Sequence, residues 1–330
     1  MFNKVFVEKD LVNKSHTQDV LKKIRFNELI TIDRYDNIFE KVKKPYLQKR
    51  DNLNLFLAKK RGEIVKEAPD AYGLGKEKHF YFIHAYNCIY ECEYCYLQGY
   101  FNSPDIVWFL NHDEIIKKID GTSKTHPNSW FHAGEFSDSL AVSHFTNEIP
   151  TYHEYFKGNS TAKLELRTKS SNTRALESLE PLSNLFVTFS LSPKEVAKSI
   201  DKKASPIKQR LKAIKRLHLL GFKIGIHLDP IVIENCWEKS YQELIEDLSN
   251  HIPISEISFI SIGVVRFTKD VFLQFSKNYP SSNIRTSTFV KSFDNKFRYP
   301  KPIRSNALRL VRELLTHYGA NPTNIYECME

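Results

Sequence analysis

Short apolar segments alternate with amphipathic segments along the chain after residue 75. The amphipathic stretches SPIKQRLKAIKRLHLLG and SYQELIEDLSNHI have helical spacing, and the first ends at Gly221, as helices commonly do. The apolar segments are rich in β-branched and aromatic residues, as strands are, and they read KHFYFIHAYNC, WFHAGEF, AKLELRTK, LFVTFSLS, FKIGIHLDPIVI and ISFISIGVVRF. Strands that alternate with helices predict a parallel sheet with crossover helices, either a barrel or an open sheet.

The two ends of the chain depart from this alternation. Residues 1–75 are rich in lysine, and their pattern, for example DVLKKIRFNELI, is mostly helical. NALRLVRELLTHYG predicts a last helix, which NPTNIYECME follows. We therefore expect an N-terminal helical extension (1–75) and an α/β domain (76–330) with a basic, aromatic C-terminal segment and a C-terminal helix.

Polar side chains collect where the predicted strands end. In parallel α/β folds, functional groups lie at the carboxyl ends of the strands. These candidates are Glu135, Ser137, Asp138, Lys169, Ser190 and Asp229.

Composition narrows the class of protein. Hydrophobic residues make up 41% of the 330 residues, which is enough for a sizeable core. No run of about 18 apolar residues predicts a membrane span, and no apolar signal core opens the chain, so we expect a cytoplasmic protein without a membrane partner. The formal charge of +9 favours a polyanionic partner such as nucleic acid, with a solvated basic surface as the alternative.

Three of the five cysteines fall within eight residues, in the spacing C-x3-C-x2-C of Cys88, Cys92 and Cys95. A structural zinc site takes four ligands and usually builds them from two separated pairs. A 4Fe–4S cluster held by three thiolates instead leaves one iron open for a ligand. Two alternatives stay open, namely a zinc site with His84 as the fourth ligand and three free cysteines that pack in a loop.

The cysteine spacing at the end of a first strand resembles that of the radical S-adenosylmethionine superfamily. CEYCYLQGYF, GEFSDSLA, LRTKS, FSLS, HLDPI, RFTK, FRYPKPIR and YECME resemble motifs of its spore photoproduct lyase-like branch, often labelled DNA photolyase, over residues 55–330. The resemblance implies a partial (β/α)6-type barrel with a 4Fe–4S cluster on the three cysteines. It also implies S-adenosylmethionine on the open iron, reductive cleavage to a 5′-deoxyadenosyl radical, and an electron donor such as flavodoxin or ferredoxin.

The resemblance assigns further roles residue by residue. Tyr94 and Tyr96 match a tyrosine pair that relays hydrogen atoms, and Tyr96 also stands where the superfamily places an aromatic residue near the adenine. The residues that match cofactor contacts are Ser137, Asp138, Lys169 and Ser190.

One position departs from the lyase pattern. The lyase has a cysteine two residues before its Ser-Asp pair, which returns a hydrogen atom to the product radical, whereas this chain has Glu135 there. A carboxyl O–H bond is too strong for that role. Cys328, in YECME, is the best substitute by resemblance to the branch, and Cys236 is a lesser candidate.

Two sets of polar residues are candidate substrate contacts. His227 and Asp229 alternate with apolar neighbours on one strand, as Glu165 and Arg167 do on another, so each pair faces one side, as a substrate contact or as a hydrogen-bonded core pair. The C-terminal part is basic and aromatic, as a surface that binds phosphates and stacks on a flipped base would be, with a solvated face as the alternative. Its members are Arg266, Lys269, Lys291, Lys296, Arg298, Tyr299, Lys301 and Arg304.

The resemblance thus implies a radical enzyme, a carbon–carbon lyase that repairs a DNA base lesion such as the thymine dimer called spore photoproduct. The first alternative is the same chemistry on a modified nucleoside or another small molecule, which the missing donor cysteine favours. The second alternative is a nucleic-acid-binding module with a structural metal.

Overall fold

Two sheets and the helices packed on them make up the computed structural model, which describes residues 2–41, 53–69, 73, 75, 77–286 and 288–328. The first half of the chain contributes strands β1 (Phe2–Glu8), β2 (Phe26–Ile32), β3 (Leu55–Ala58), β4 (Val65–Glu67), β5 (His79–Phe82), β6 (Ala85–Tyr86), β7 (Glu91–Cys92), β8 (Ile106–Phe109), β9 (Ser129–His132) and β10 (Ala162–Thr168). The second half contributes β11 (Leu185–Ser190), β12 (Asp201–Lys202), β13 (Lys223–Ile231), β14 (Phe259–Val264), β15 (Arg266–Phe267), β16 (Val290–Lys291), β17 (Phe297–Arg298) and β18 (Ile325–Glu327).

Helices connect most of these strands. They are α1 (Lys9–Val12), α2 (Ser15–Lys23), α3 (Leu97–Tyr100), α4 (His112–Thr125), α5 (Ser143–Thr146), α6 (Glu148–Gly158), α7 (Arg174–Glu177), α8 (Lys194–Ile200), α9 (Ile207–Leu219), α10 (Trp237–Ser249), α11 (Lys269–Asn278) and α12 (Lys301–His317). In the part of the chain that the structure describes, no helix is long and apolar enough to span a bilayer.

The larger sheet has eight strands in the order β18-β14-β13-β11-β10-β9-β5-β4. All neighbours from β5 to β18 pair in parallel, and only the edge strand β4 runs antiparallel, to β5. Crossover helices follow the parallel strands, as right-handed β-α-β connections require. The sheet is the partial barrel that the resemblance implies, so the choice between a barrel and a flat open sheet is decided in favour of the barrel.

Most of the predicted strands and helices after residue 75 are confirmed. WFHAGEF overlaps β9, AKLELRTK contains β10 and LFVTFSLS contains β11, while the two amphipathic stretches form α9 and most of α10. The single strand predicted for KHFYFIHAYNC is instead divided into β5 and β6, which belong to different sheets. The predicted C-terminal helix is α12. All six side chains of β11 are buried, which fits a strand covered on both faces.

The prediction of a mostly helical N-terminus is wrong. The described part of residues 1–75 contains β1 to β4, and DVLKKIRFNELI is split between α2 and β2. Val5 and Val7 lie on either side of the less buried Phe6 and pack in a second core with Leu55 and Trp108. This burial, together with pairing to β3, overrides the local helical pattern. The rest of that region, residues 42–52 among them, lies outside the described residues.

The smaller sheet mixes strands from both sides of residue 75. Its order is β2-β1-β3-β8-β6, so β6 and β8 from the later part of the chain complete a sheet that the first strands begin. The boundary between 1–75 and 76–330 therefore cuts through one sheet, and the domain division stays a prediction.

Candidate functional site

The three clustered cysteines lie in the loop that follows β5 and β6. Within this loop β7 pairs antiparallel with β12, so that Asp201 lies opposite Cys92. The Cys95 backbone N–H donates to the Cys92 carbonyl at 3.0 Å, and the Gln98 amide donates to the same carbonyl at 3.3 Å. The Tyr90 N–H donates to the Cys88 sulfur at 3.4 Å. The loop therefore has a defined conformation that directs its thiols inward.

The cysteine loop and the ends of three strands enclose one cavity of about 130 Å³. Residues after β9, at the end of β10 and at the end of β11 meet there because parallel strands present their carboxyl ends at one edge. The sequence-predicted residues in its wall are Cys88, Cys92, Cys95, Tyr96, Glu135, Ser137, Asp138, Lys169 and Ser190.

The donor chemistry of the loop fits a cluster held by three thiolates. Burial raises the pKa of both the Cys88 and the Cys92 thiol, so a thiolate at either position needs a positive partner such as a metal centre. Among the described residues, no three Cys, His, Asp or Glu side chains are placed to hold a single metal ion. His84 hydrogen-bonds through Nε2 with the Ala133 carbonyl at 2.8 Å, so the structure does not support a zinc site with His84.

A buried ionic network supports the loop from behind. The Tyr94 hydroxyl donates to Asp201 Oδ1 at 2.5 Å, and the Lys169 ammonium donates to the Tyr94 hydroxyl at 2.6 Å. Arg210 on α9 donates to Asp201 Oδ2 at 3.0 Å. Burial opposes the charge of Asp201, but Lys169 and Arg210 more than offset it, so the pKa of this carboxyl lies below its usual value.

Sequence reasoning missed Asp201 and Arg210. A cation at position 210 falls on the apolar face of α9, between Ile207 and Ile214, and such a residue calls for a buried partner. That pattern was visible in the sequence, whereas the identity of the partner was not.

Asp138 shapes the loop after β9. Its two carboxylate oxygens accept hydrogen bonds from the Leu140, Ala141 and Lys169 backbone N–H groups and from the Thr168 hydroxyl, at 2.7–2.9 Å. Burial nevertheless raises the pKa of Asp138. All four of these hydrogen-bond donors to Asp138 are protein groups. The contact between Asp138 and the cofactor that the resemblance implies stays a prediction.

Glu135, the position at which the chain departs from the resemblance, lies in the cavity wall. The Tyr96 hydroxyl donates to the Glu135 carbonyl, which fixes the two residues side by side. Burial raises the pKa of the Glu135 carboxyl to about 7. Near neutral pH this carboxyl is therefore close to half protonated, and it can donate or accept a hydrogen bond in the cavity.

A chain of buried histidines and one glutamate crosses the barrel interior. His79 Nδ1 lies 2.9 Å from His132 Nε2, and His132 Nδ1 contacts Glu165 Oε2. His227 Nε2 lies 2.9 Å from Glu165 Oε1, and Arg167, which also lines the cavity, donates to Glu165 Oε2 at 3.2 Å. Burial opposes the charge of Glu165, but His132 and His227 outweigh it and hold its pKa well below the usual range.

The hydrogen-bond partner of His227 is Glu165 of β10 and not Asp229, which agrees with the alternative of a hydrogen-bonded core residue. A contact of His227 with substrate stays a prediction. Local spacing does not indicate the partners His79 and His132, because the pairing of β5, β9 and β10 brings them to Glu165.

Cys328 lies directly after β18, and its backbone N–H donates to the Ile262 carbonyl at 2.9 Å. Arg266 contacts Asp229 at 3.6 Å and donates to the Cys328 carbonyl at 3.4 Å. Burial, then the negative charge of Asp229, raise the pKa of the Cys328 thiol to about 12, so it keeps its hydrogen at neutral pH. Burial, followed by the negative charge of Glu135 and of Cys328, raises the pKa of Tyr81 far above its usual value. Cys236 is exposed before α10.

The basic C-terminal segment is only partly at the surface. Arg298 is 4% exposed and donates to Asp294 at 2.7 and 3.1 Å, and Tyr299 is 2% exposed with its hydroxyl accepting from the Ile233 N–H at 3.1 Å. The expectation that these two residues contact a phosphate or stack on a base is therefore not supported, because both are used inside the protein. Lys269, Lys291 and Lys301 are exposed, while Arg266, Lys296 and Arg304 are partly exposed.

Comparison of the sequence with known proteins shows similarity to one enzyme family. The sequence model of the spore photoproduct lyase family matches residues 75–303. The spore photoproduct lyase of Bacillus subtilis (strain 168) is 28% identical over 205 residues, which cover 61% of this chain and 60% of that protein. The one from Geobacillus sp. (strain Y412MC61) is 26% identical over 207 residues, with 61% and 60% covered. The matched region thus spans about 60% of the length of these relatives.

Solved structures extend the similarity in fold to the whole chain. A spore photoproduct lyase complexed with dinucleoside spore photoproduct superposes with a TM-score of 0.82 at 19% identity, covering 100% of this chain and 98% of that one. A variant of that enzyme with bound AdoMet and dinucleoside spore photoproduct gives 0.82 at 18% identity, with the same coverage.

Proposed function

Because the chain belongs to the spore photoproduct lyase family, we propose that it is a radical S-adenosylmethionine enzyme that acts on a thymine-dimer lesion of DNA. One observation carries the proposal: three cysteines of one loop and polar residues from the ends of three strands line a single cavity. Relatives whose structures contain AdoMet and dinucleoside spore photoproduct support the choice of cofactor and substrate class.

In this proposal Cys88, Cys92 and Cys95 hold a 4Fe–4S cluster through their thiolates. The cluster and S-adenosylmethionine supply, when bound, the reductive cleavage that yields a 5′-deoxyadenosyl radical. Lys169 offers a cation in the cavity for a carboxylate of the ligand, and Ser137 and Ser190 offer hydroxyl groups. Tyr96 forms part of the wall, which excludes water from the reacting groups.

Cys328 is the proposed source of the hydrogen atom that completes repair. Its thiol is buried and protonated, and it lies beside Asp229 and Arg266 at the carboxyl edge of the sheet. One S–H bond breaks and one C–H bond forms on the product, which leaves a thiyl radical on Cys328. The family resemblance assigns the return of a hydrogen atom to that sulfur to Tyr94 or Tyr96, and the tyrosyl radical so formed would take up one electron from the reductant and one proton from water.

The proposal is tested by anaerobic reconstitution with iron and sulfide, followed by dithionite and S-adenosylmethionine, with and without DNA that contains spore photoproduct. We expect 5′-deoxyadenosine and repaired thymines from the wild type, and neither from Cys92→Ala. The matched control, Cys236→Ala on the exposed loop, should retain both products. Absence of 5′-deoxyadenosine from wild-type protein that carries an intact cluster would contradict the radical chemistry.

A second candidate is the same radical chemistry on a modified nucleoside or another small molecule. Glu135 favours it, because a carboxyl with a pKa of about 7 replaces the thiol of the lyase and offers a hydrogen-bonding group to a different substrate. Formation of 5′-deoxyadenosine without repair of spore photoproduct DNA would favour this candidate over the first.

A further inference from the structure

A basic surface covers the outer side of the cysteine loop. It consists of α8, β12 and the first half of α9, and we call it the α8–α9 lysine face. Its exposed cations are Lys194, Lys198, Lys202, Lys203, Lys208 and Lys212.

Within this face, β12 and the end of α8 lie directly against the cysteine loop. Lys202 lies opposite Glu91 in the β7–β12 ladder, next to the pair formed by Asp201 and Cys92. The Glu93 N–H donates to the Ile200 carbonyl at the end of α8, at 2.9 Å. A partner bound on the lysine face therefore comes close to any cluster that these cysteines hold.

The face carries excess positive charge. Lys202 pairs with Glu93 at 2.6 Å and Lys203 with Glu91 at 3.3 Å, so these two lysines are neutralised locally. Lys198, Lys208 and Lys212 form no ion pair with any residue in the described ranges. Unpaired exposed charges of one sign attract an oppositely charged partner and accelerate its association.

The buried residues beneath the lysine face favour an electron-donor protein over DNA as the partner that binds there. Asp201 is 3% exposed and Arg210 is 1% exposed, and their ion pair fills the space behind the loop. An extruded base needs an open path to the reacting groups, whereas an electron needs only a short distance to the cluster. A closed, basic wall next to the cluster ligands fits the second requirement.

We propose that the α8–α9 lysine face is the docking surface of an acidic one-electron carrier protein of the flavodoxin or ferredoxin class. This inference rests on the proposed function, which consumes one electron for each cleavage of S-adenosylmethionine. The carrier is oxidised by one electron and the cluster is reduced by one, and that electron then enters the sulfonium C–S bond that breaks.

The test compares two sources of electrons in the reconstituted holoenzyme. The variant carries Lys198→Glu, Lys208→Glu and Lys212→Glu, all at exposed positions. Its Kd for an acidic bacterial flavodoxin should rise at least about tenfold at low salt, with a weaker dependence on ionic strength. Formation of 5′-deoxyadenosine should fall with reduced flavodoxin but stay unchanged with dithionite, which needs no docking.

The matched control reverses three exposed lysines of α4, namely Lys117, Lys118 and Lys124. It changes the net charge equally and should leave flavodoxin binding within about twofold of wild type.

Four results would overturn the inference. They are a wild-type protein without saturable, salt-sensitive flavodoxin binding, an unchanged Kd in the variant, an equal loss in the control, and a loss of affinity for a DNA duplex with flavodoxin binding intact. A wild type that fails to cleave S-adenosylmethionine with dithionite contradicts the proposed function instead, while the Kd measurements still decide the docking surface.

Discussion

Glu135 is the residue at which this chain departs from the lyase pattern, and Cys328 is the residue that we propose takes over the donor role. Glu135 lines the cavity next to Tyr96, and Cys328 lies beside Asp229. A thiol gives up a hydrogen atom far more readily than a carboxyl group does. In the proposed function, Glu135 therefore serves recognition and Cys328 serves the return of the hydrogen atom.

The first prediction concerns the thiol. Cys328→Ala should leave the formation of 5′-deoxyadenosine within about twofold of wild type but lower the yield of repaired thymines at least about tenfold, because only the last hydrogen transfer is lost. Cys328→Ser should behave in the same way, since a hydroxyl O–H bond is too strong to replace the S–H bond. Both products are measured by chromatography. An unchanged product yield would exclude Cys328 from the reaction.

The buried His84 makes the free energy of unfolding depend on pH. Burial lowers the pKa of His84 to about 4, whereas an unfolded chain has a value near 6.5. Between these values the unfolded chain binds a proton that the folded protein does not, so stability is lost as the pH falls from 6.5 to 4. For this one group the loss is up to about 3 kcal/mol.

The second prediction follows from that linkage. His84→Gln should weaken the decline of the unfolding free energy between pH 6.5 and pH 4, because glutamine does not titrate there. Urea unfolding at a series of pH values measures the slope. His317→Gln, on an exposed side chain, is the control and should keep the wild-type slope. An identical slope in the His84 variant would mean that this ring is not buried as the neutral form.

At the scale of elements, α9 supports the cysteine loop through hydrogen bonds of Arg210. Arg210 donates to the Ser190 carbonyl at 2.9 Å, to the Ser205 carbonyl at 2.7 Å and to Asp201 at 3.0 Å. One buried side chain thereby ties the helix to the end of β11 and to β12, which pairs with Cys92. The helix also presents Lys208 and Lys212 on its outer surface. The buried face of α9 therefore supports the cysteine loop, and its exposed face forms part of the proposed docking surface.

The third prediction concerns the loss of these Arg210 contacts. Arg210→Met should destabilise the protein by about 3–5 kcal/mol, because it leaves the Asp201 carboxylate buried with one cation fewer. The loop should also lose iron more readily after reconstitution, which iron analysis and absorbance measure. Lys212→Met, on the exposed face of the same helix, should change stability by less than about 0.5 kcal/mol. Equal effects of the two substitutions would contradict the role given to Arg210.

At the scale of the whole molecule, the smaller sheet leads from the N-terminal strands to the cysteine loop. β3 pairs with β1 on one side and with β8 on the other, and β8 pairs with β6, which leads into the cysteine loop. The N-terminal strands are thus connected to the site through continuous backbone pairing. Val5, Val7 and Leu57 of these strands are buried in the second core together with Ile106 and Trp108 of β8.

The fourth prediction tests whether residues 1–75 form a separable unit. Deleting them removes β1 to β4 and exposes the partners of side chains such as Val5 and Val7, each of which contributes about 1.5–3 kcal/mol when buried. We expect the remaining chain to aggregate or to unfold at a Tm lower by at least about 5 °C. Size-exclusion chromatography and calorimetry measure this. An unchanged Tm would instead support two independent domains.

The sequence by itself determined what depends on local spacing. The C-x3-C-x2-C motif, the strands rich in β-branched residues and the amphipathic α9 and α10 follow from neighbours within a few residues, and most appear where predicted. The alternation of strands and helices also predicted which polar residues gather at one edge, such as Ser137, Lys169 and Ser190, because parallel strands end on the same side.

Only the tertiary structure decided what depends on pairing between distant segments. The N-terminal strand β1, the ion pair of Asp201 with Arg210 and the chain from His79 to His227 each join residues that sequence order keeps apart. The same is true of the burial of Arg298 and Tyr299, whose surroundings come from other loops. Local pattern fixes the faces of an element, but the energy of burying a charge or a strand depends on the partner that the fold brings to it.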